Sequence, residues 1–447
     1  MNRPNILFIV DDQHRHDYVG CAGASFVSTP HIDSIAASGV RFTQCITNSP
    51  LCVPARIGLA TGMLPSRLGC MDNNCYLPQS ATTFYQRLRD ADYRVGCVGK
   101  LDLAKPDPYN GRYGDRPSAF RFGFTHPEEC EGKMHAGGSA TPIGPYTFYL
   151  EEQGLLERFH EDYDARAKDG WVRACHDSVL PTEAFEDCYI GRRSAEWVDR
   201  VPDDFPWCLF VSFVGPHDPF DPPTEYADRY RGKPMSPTIP AADDGRPTGR
   251  TVALSEEEVA ETRRQYCAAI TAVDDQVGAI LDAVKRRGME EETVVVFASD
   301  HGEMLGDHGG HYQKSSPYEG AIRVPLMVAG AGIEGGRTSD ALVELSDLNP
   351  TVCDLAGLDP QPGIDAQSIA GVLKGEADAH REVAVSELGS FRVARTATHK
   401  LVDYVNGPTM LFNLEDDPDE QVDRRGEERE TVRGLRTALR ERYLKRR

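Results

Sequence analysis

The stretch Asn5-Ile6-Leu7-Phe8-Ile9-Val10-Asp11-Asp12 decides the fold prediction, because a short apolar run ends abruptly in two carboxylates. Other apolar runs of similar length recur along the chain and alternate with amphipathic stretches. They predict strands at Asn5–Val10, Arg94–Val98, Trp207–Phe213, Thr293–Ala298 and Val324–Val328, and helices at His31–Ala37, Thr82–Ala91 and Ser255–Arg287. Continuous apolar strands separated by helices are typical of a parallel sheet buried on both faces, so we expect an α/β fold.

Chemically active side chains follow four of these predicted strands, each at the point where the strand ends. They are found in Asp11-Asp12, Gly99-Lys100, Gly215-Pro216-His217 and Ser299-Asp300-His301-Gly302. In open α/β sheets, ligands bind outside the carboxyl ends of the strands. Any one of these residues, taken alone, could cap a turn or lie on the surface. Their shared placement predicts a common site.

The rest of the chain predicts insertions and a smaller second domain. Residues 106–206 are rich in Gly, Pro, aromatic and charged residues and are predicted to be irregular insertions over the site, where they would shape the leaving-group pocket. A surface loop is predicted at Arg231–Arg250. The tail predicts three strands and a helix, at Val383–Glu387, Arg392–Thr396, Lys400–Val405 and Thr431–Leu444. We therefore expect a catalytic domain at 1–375 and a small α+β domain at 376–447.

Composition limits the classes of partner. The 447-residue chain has a net charge of −21, which argues against nucleic acid or an anionic membrane as partner and makes long polyanions less favourable. A small anion remains compatible if cations are concentrated at the site. The N-terminus does not resemble a signal peptide and no apolar run has transmembrane length, so the twelve cysteines are expected to be reduced and the protein cytoplasmic, unless a precursor has been trimmed.

Cys52 opens the run Cys52-Val53-Pro54-Ala55-Arg56, which is predicted to start a helix because Pro54 suits a first helical turn. A side chain at such a position lies among free backbone N–H groups, which favour anions. Arg56 adds a fixed charge whose fork matches a tetrahedral oxyanion. The alternative for a single cysteine is a buried structural thiol.

This run resembles the C-x-P-x-R signature of the sulfatase family, in which the cysteine is oxidised to formylglycine after translation. Ala60 departs from the extended signature, where the family usually has a larger apolar residue. Three further segments resemble sulfatase landmarks: Arg323–Met327, Ser346–Val352 and Leu411–Pro418. The resemblance implies an alkaline-phosphatase-like fold, a mixed and mostly parallel sheet with a smaller C-terminal domain. Within the family the chain is most similar to bacterial arylsulfatase-like and choline-sulfatase-like members.

A divalent metal site is predicted from Asp11, Asp12, Asp300 and His301. Three carboxylates close together would repel one another unless a cation neutralised them, and oxygen ligands favour Ca²⁺ or Mg²⁺, with Mn²⁺ compatible because of the histidine. The resemblance implies Ca²⁺ at the matching positions, with formylglycine at Cys52 completing the ligand set. The alternative is that the Asp11-Asp12 pair only ends a strand and caps a turn.

Three cations are expected to face the substrate. The resemblance matches Lys100 to a lysine that contacts formylglycine and sulfate, His217 to a histidine that contacts sulfate and the leaving-group oxygen, and Lys314 to the lysine before the Tyr318-Glu319-Gly320 element. Two residues beyond Lys100, many sulfatases have a histidine, proposed as the base for the second half-reaction, whereas this chain has Asp102. That carboxylate could act as the base, or it could orient Lys100 or Lys105 by ion pairing.

The predicted function is hydrolysis of a small sulfate ester through a covalent intermediate on residue 52. Metal, Arg56, Lys100 and Lys314 would hold the sulfonyl oxygens, and His217 or Lys314 would assist departure of the alcohol. The implied partners are a sulfated small molecule and, transiently, a formylglycine-generating enzyme. A homo-oligomer is possible.

Two alternatives remain open at this point. The first is a formylglycine-dependent phosphonate monoester or phosphodiester hydrolase, a group that typically has uncharged hydroxyl residues where this chain has Lys100 and Asp102. Lys100 therefore favours a sulfatase, while Asn73 or Asn74 is compatible with the alternative. The second is a non-catalytic anion- or metal-binding protein in which Cys52 stays a thiol.

Overall fold

The computed structural model describes residues 3–242, 246 and 250–444. Twelve strands are present: β1 Asn5–Asp11, β2 Gly39–Ile46, β3 Arg94–Lys100, β4 His126–Cys130, β5 Trp207–Ser212, β6 Thr293–Ser299, β7 Arg323–Gly330, β8 Arg337–Glu344, β9 Ala384–Leu388, β10 Phe391–Arg395, β11 His399–Tyr404 and β12 Thr409–Asn413. The helices are α1 Pro30–Ser38, α2 Cys52–Thr61, α3 Pro65–Leu68, α4 Phe84–Arg89, α5 Pro117–Phe122, α6 Lys133–Gly137, α7 Pro145–Glu152, α8 Leu156–Asp169, α9 Glu186–Arg200, α10 Thr224–Ala227, α11 Glu256–Arg286, α12 Asp307–Gly310, α13 Glu319–Ile322, α14 Leu348–Leu355, α15 Ala370–Leu373 and α16 Arg429–Leu444.

The large sheet has the strand order β4-β3-β5-β1-β6-β7-β2-β8, and β7 runs antiparallel to its neighbours. The other pairings are parallel, so the predicted mixed, mostly parallel sheet is confirmed. The central strand β1 is buried along its whole length, because an apolar core covers each face of the sheet. The carboxyl ends of β1, β3, β5 and β6 consequently lie at one edge.

The sequence of the long helix α11 explains where this helix begins and ends. Ser255 caps its N-terminus in a capping box with Glu258, acidic residues fill the first turn, and Lys285 and Arg286 lie in the last turn, where they suit the helix dipole. The apolar side of α11 packs beside α9 in the core on one face of the sheet. The prediction of this helix is therefore confirmed to within one residue at each end.

The C-terminal part forms a second, antiparallel sheet of order β12-β11-β10-β9. Helix α16 packs on it through Leu435 and Leu439, which share a buried cluster with Leu401 and Leu411. The predicted small α+β unit is present. Strand β12 was not predicted.

The prediction of irregular structure at residues 106–206 is wrong. Residues 106–206 were predicted to be irregular, but the structure contains β4 and helices α5 to α9 there, because the many charged residues lie on the outer faces of amphipathic helices such as α8 and α9. Strands β2, β4 and β8 were missed because polar residues interrupt their apolar pattern, and β4 and β8 are the edge strands of the large sheet.

In Arg231–Arg250, the described part up to residue 242 has no helix or strand, while 243–245 and 247–249 lie outside the described residues.

All twelve cysteines fall in the described part of the chain and are free thiols, in agreement with the prediction. Between residues 3 and 444, leaving aside the two short gaps, no helix is both long and apolar enough to cross a bilayer.

Candidate active site

Cys52 is the first residue of α2, as predicted, and its side chain is fully buried. Its Sγ lies 3.2 Å from His301 Nε2 and 3.1 Å from Lys314 Nζ. Burial and the Asp12 charge would raise the pKa of the thiol, but Lys100, Lys314 and His301 outweigh them and hold it well below its usual value. The site therefore favours negative charge at residue 52, as a nucleophilic position requires.

Four potential metal ligands meet at the sheet edge. One ligand atom each from Asp12, Cys52, Asp300 and His301 lies within 4.8 Å of the others, and all four residues are buried. His301 Nδ1 is 3.1 Å from the Gly302 carbonyl, so the ring donates there and directs the lone pair of Nε2 into the cluster. Two carboxylates and a correctly oriented imidazole fit a divalent cation.

Asp11 is the predicted ligand that the structure does not bring into this group. It is the last residue of β1. Asp11 Oδ2 pairs with His14 Nδ1 at 2.5 Å, in a fully buried contact, and so orients the His14 ring. Asp11 Oδ1 is buried without a hydrogen-bond partner among the described residues, so the metal-ligand role of Asp11 stays a prediction.

Arg56 lies in the site, but its guanidinium is occupied by the protein. Nε donates to Asp300 at 2.7 Å, and Nη2 donates to Asp12 at 3.1 Å. Nη1 donates to Ser212 and to the Lys100 carbonyl. The expectation that Arg56 holds the oxyanion is thus not met by this geometry, because its fork faces two carboxylates. Arg56 neutralises those carboxylates and fixes their positions.

Lys100, at the end of β3, points at Asp12, with Nζ 2.5 Å from Oδ2. Asp102 accepts from both neighbouring lysines, at 3.2 Å from Lys100 and 2.9 Å from Lys105. Burial would raise the pKa of Asp102, but Lys100 and Lys105 hold it far below its usual value. Of the two roles considered for Asp102, the geometry favours orientation of the lysines over service as a base.

His217 and Lys314 contact each other beside Cys52. His217 Nε2 contacts Lys314 Nζ, and His217 Nδ1 lies 2.5 Å from the Asp218 carbonyl, which fixes the ring. Lys314 also donates to Gln13 Oε1 at 2.9 Å. Of the three predicted substrate-facing residues, Lys314 contacts Cys52, Lys100 lowers the pKa of the Cys52 thiol, and His217 joins them through Lys314.

Gln13 is a residue of the site that the sequence analysis missed. Its backbone N–H donates to Asp300 at 3.1 Å, and its side-chain amide donates to Asp218 and contacts Glu303. It adopts a left-handed backbone conformation with φ of 72°, which is uncommon for a residue other than glycine. Its position directly after Asp12 was the available signal.

The loop that carries His217 is held from two sides by residues of the 106–206 segment. Lys133 of α6 donates to the carbonyls of His217 and Pro219, at 3.1 and 2.9 Å, and pairs with Asp221 at 2.6 Å. Asp187 of α9 accepts from the N–H groups of Val214 and Gly215, both at 2.9 Å. Neither contact had a sequence signal, because both partners lie many residues away along the chain.

The chain is similar to known proteins over most of its length. The family model described as Sulfatase matches residues 4–358. A choline-sulfatase of Rhizobium meliloti is 31% identical, covering 93% of this chain and 81% of its own length, and an arylsulfatase of Clostridium perfringens is 27% identical, covering 94% and 89%. The crystal structure of a phosphonate monoester hydrolase of Agrobacterium radiobacter has a TM-score of 0.82 at 23% identity, covering 100% of this chain and 96% of that one.

Proposed function

Because this chain belongs to the sulfatase family, we propose that it hydrolyses a sulfate ester to an alcohol and inorganic sulfate. In this proposal Cys52 is converted to formylglycine. A divalent cation, Ca²⁺ in preference to Mn²⁺ or Mg²⁺, is held by Asp12, Asp300 and His301. The observation that carries the proposal is the meeting of Cys52 with this ligand group and with two lysines in one buried site. Such a group matches an anion whose charge shifts during reaction.

The chain's own residues have distinct tasks in this reaction. When position 52 carries formylglycine, its hydrate supplies one hydroxyl to attack sulfur and a second whose deprotonation expels sulfate and restores the aldehyde. The cation supplies positive charge next to the reacting oxygens. Lys100 and Lys314 bind the sulfonyl oxygens, because the charges of both ammonium groups act on residue 52. Arg56 holds Asp12 and Asp300 in place through its hydrogen bonds.

His217 is the residue proposed to pass a proton to the leaving alcohol. Its Nδ1 is directed at the Asp218 carbonyl, which leaves Nε2 facing Lys314. Lys314 is the second candidate donor, because the same contact links the two groups. Asp102 contributes by holding Lys100 in position.

The catalytic residues proposed here all precede residue 376. We therefore retain the division into a catalytic domain at 1–375 and a C-terminal domain at 376–447 as part of the proposal. The partners implied are a sulfated small molecule and a formylglycine-generating enzyme that acts on Cys52.

Two measurements test the function. The first is the mass of the tryptic peptide that ends at Arg56, from protein coexpressed with a formylglycine-generating enzyme, since the aldehyde and the thiol differ in mass. The second compares kcat/KM for an aryl sulfate with that for an aryl phosphonate monoester on the same preparation. A preference for the sulfate is expected because Lys100 lies beside the nucleophile. A preference for the phosphonate would favour the alternative hydrolase, and a modified but inactive protein would contradict both.

A further inference from the structure

A small recess lies beside Lys100 and His217. It has a volume of about 50 Å³ and is lined by Lys100, Asp102, Lys105, Gly132, Lys133, Met134, His135, Val214 and His217. It shares Lys100 and His217 with the site, whereas Cys52 and Lys314 do not line it. The recess is thus a neighbouring space that shares two lining residues with the site, so it is adjacent to an ester bound at residue 52. Its volume suits a group of about three non-hydrogen atoms.

The charged groups that line the recess are mainly cationic. Three lysines and two histidines face a single carboxylate, Asp102, and that carboxylate is already shared by Lys100 and Lys105. The carboxylates that balance Lys100 and Lys133, namely Asp12 and Asp221, do not line the space. A ligand in the recess therefore meets ammonium and imidazole groups before it meets negative charge.

Two of these side chains have donors to offer a ligand. The Lys133 ammonium has three protein acceptors, and Lys100 is held between Asp12 and Asp102. Lys105 has one contact with Asp102 and is 19% exposed, so it can donate further. His135, on α6, is half-buried, and burial followed by the Lys105 charge lowers its pKa, so its neutral ring offers an N–H.

We propose that this recess makes the protein selective for sulfate esters whose alcohol carries an anionic group, such as a carboxylate, close to the ester, with Lys105 and His135 as the specificity-determining residues. This inference rests on the proposed sulfatase function. A carboxylate would accept charge-assisted hydrogen bonds from both residues. A quaternary ammonium group would be disfavoured, because the described residues lining the recess include no Phe, Tyr or Trp ring and no carboxylate that is free of lysines.

The test measures binding to the Cys52→Ala protein in the presence of calcium, so that it does not depend on turnover or on formylglycine. Three esters built on a two-carbon chain serve as probes: the O-sulfates of glycolate, ethylene glycol and choline, which are anionic, neutral and cationic beyond the ester. We expect glycolate O-sulfate to bind at least about tenfold more tightly than choline O-sulfate. Lys105→Met, made in the same background, should remove most of that ratio while changing the affinity for the neutral ester much less.

Three further variants make the result interpretable. Lys105→Arg should keep the preference because it keeps the charge, His135→Gln should weaken it several-fold, and Lys168→Met, an exposed lysine on α8, should leave all three affinities unchanged. Equal binding of the three esters, tighter binding of the choline ester, or the same effect of Lys105→Met on all three would overturn the proposal. Failure of all three to bind would overturn it too, whereas failure of the sulfatase function is recognised separately, by the absence of aryl sulfate turnover in the modified wild-type protein.

Discussion

Replacing Lys133 with methionine should destabilise the protein and impair the reaction together. The ammonium is almost fully buried and forms an ion pair of 2.6 Å with Asp221, which is also buried. Its other two donors hold the carbonyls of His217 and Pro219. Lys133→Met leaves the Asp221 charge with one remaining donor, the Tyr163 hydroxyl at 2.9 Å.

The expected loss of stability is about 3–5 kcal/mol, the usual effect of leaving one member of a buried ion pair without its partner. Since the free energy of unfolding of most proteins is about 5–15 kcal/mol, the variant should still fold. The matched double variant Lys133→Met, Asp221→Asn removes both charges and should recover much of the loss. The activity should fall about 10- to 100-fold in both variants, because His217 loses its support in each.

Urea unfolding is measured for the wild type, Lys133→Met, Asp221→Asn and the double variant. The four free energies of unfolding give the coupling energy between Lys133 and Asp221. Kinetics on the same four proteins separate support of His217 from general stability. The reasoning is refuted if the double variant is no more stable than Lys133→Met. It is refuted equally if kcat/KM is unchanged in a folded variant that has lost Lys133.

Three other outcomes follow from the site. Removal of the divalent cation with a chelator should abolish activity and reversibly lower the melting temperature, because Asp12, Asp300 and His301 would bind the cation only in the folded state. At a cation concentration a hundredfold above Kd, the lost stability should be about 3 kcal/mol. Calorimetry with and without added Ca²⁺ measures this, and an unchanged melting temperature would contradict it. Burial, against the opposing effect of Lys133, raises the pKa of Asp187 to about 6, so the folded state binds the Asp187 proton more tightly than the unfolded state does. The free energy of unfolding should therefore fall as pH rises from about 4 to about 6, by at most about 3 kcal/mol. Denaturant titrations of Asp187→Asn should show a flatter dependence on pH. Because the net charge of −21 repels an anionic ester, kcat/KM should rise several-fold as NaCl is increased from about 10 to about 150 mM, and a fall would mean that the cations at the site control the encounter.

Much of the fold could be predicted because its central strands carry a strong signal. Strands β1, β5 and β6 are buried on both faces and therefore read as continuous apolar runs. Edge strands such as β4 and β8 carry polar residues within the strand, and this broke the pattern. The 106–206 segment was wrongly predicted to be irregular, because its helices are short or strongly amphipathic and their many charged residues resemble the composition of a loop.

The site was predictable where residues follow strands and unpredictable where they meet through the fold. Asp12, Lys100, Asp300 and His301 all come directly after or at the end of a strand, so topology alone brings them together. The engagement of Arg56 could not be predicted, because it depends on two carboxylates from different strands that reach the same guanidinium.

The occupation of Arg56 also decides how the site meets its substrate. Its guanidinium and the Lys100 ammonium already pair with Asp12 and Asp300. A divalent cation bound among them would then add positive charge next to residue 52. With Lys314 beside Cys52, that charge would attract an anion inside a strongly acidic protein. Attraction of a sulfate group therefore has to come from contacts within the site, because the charge of the whole molecule opposes it.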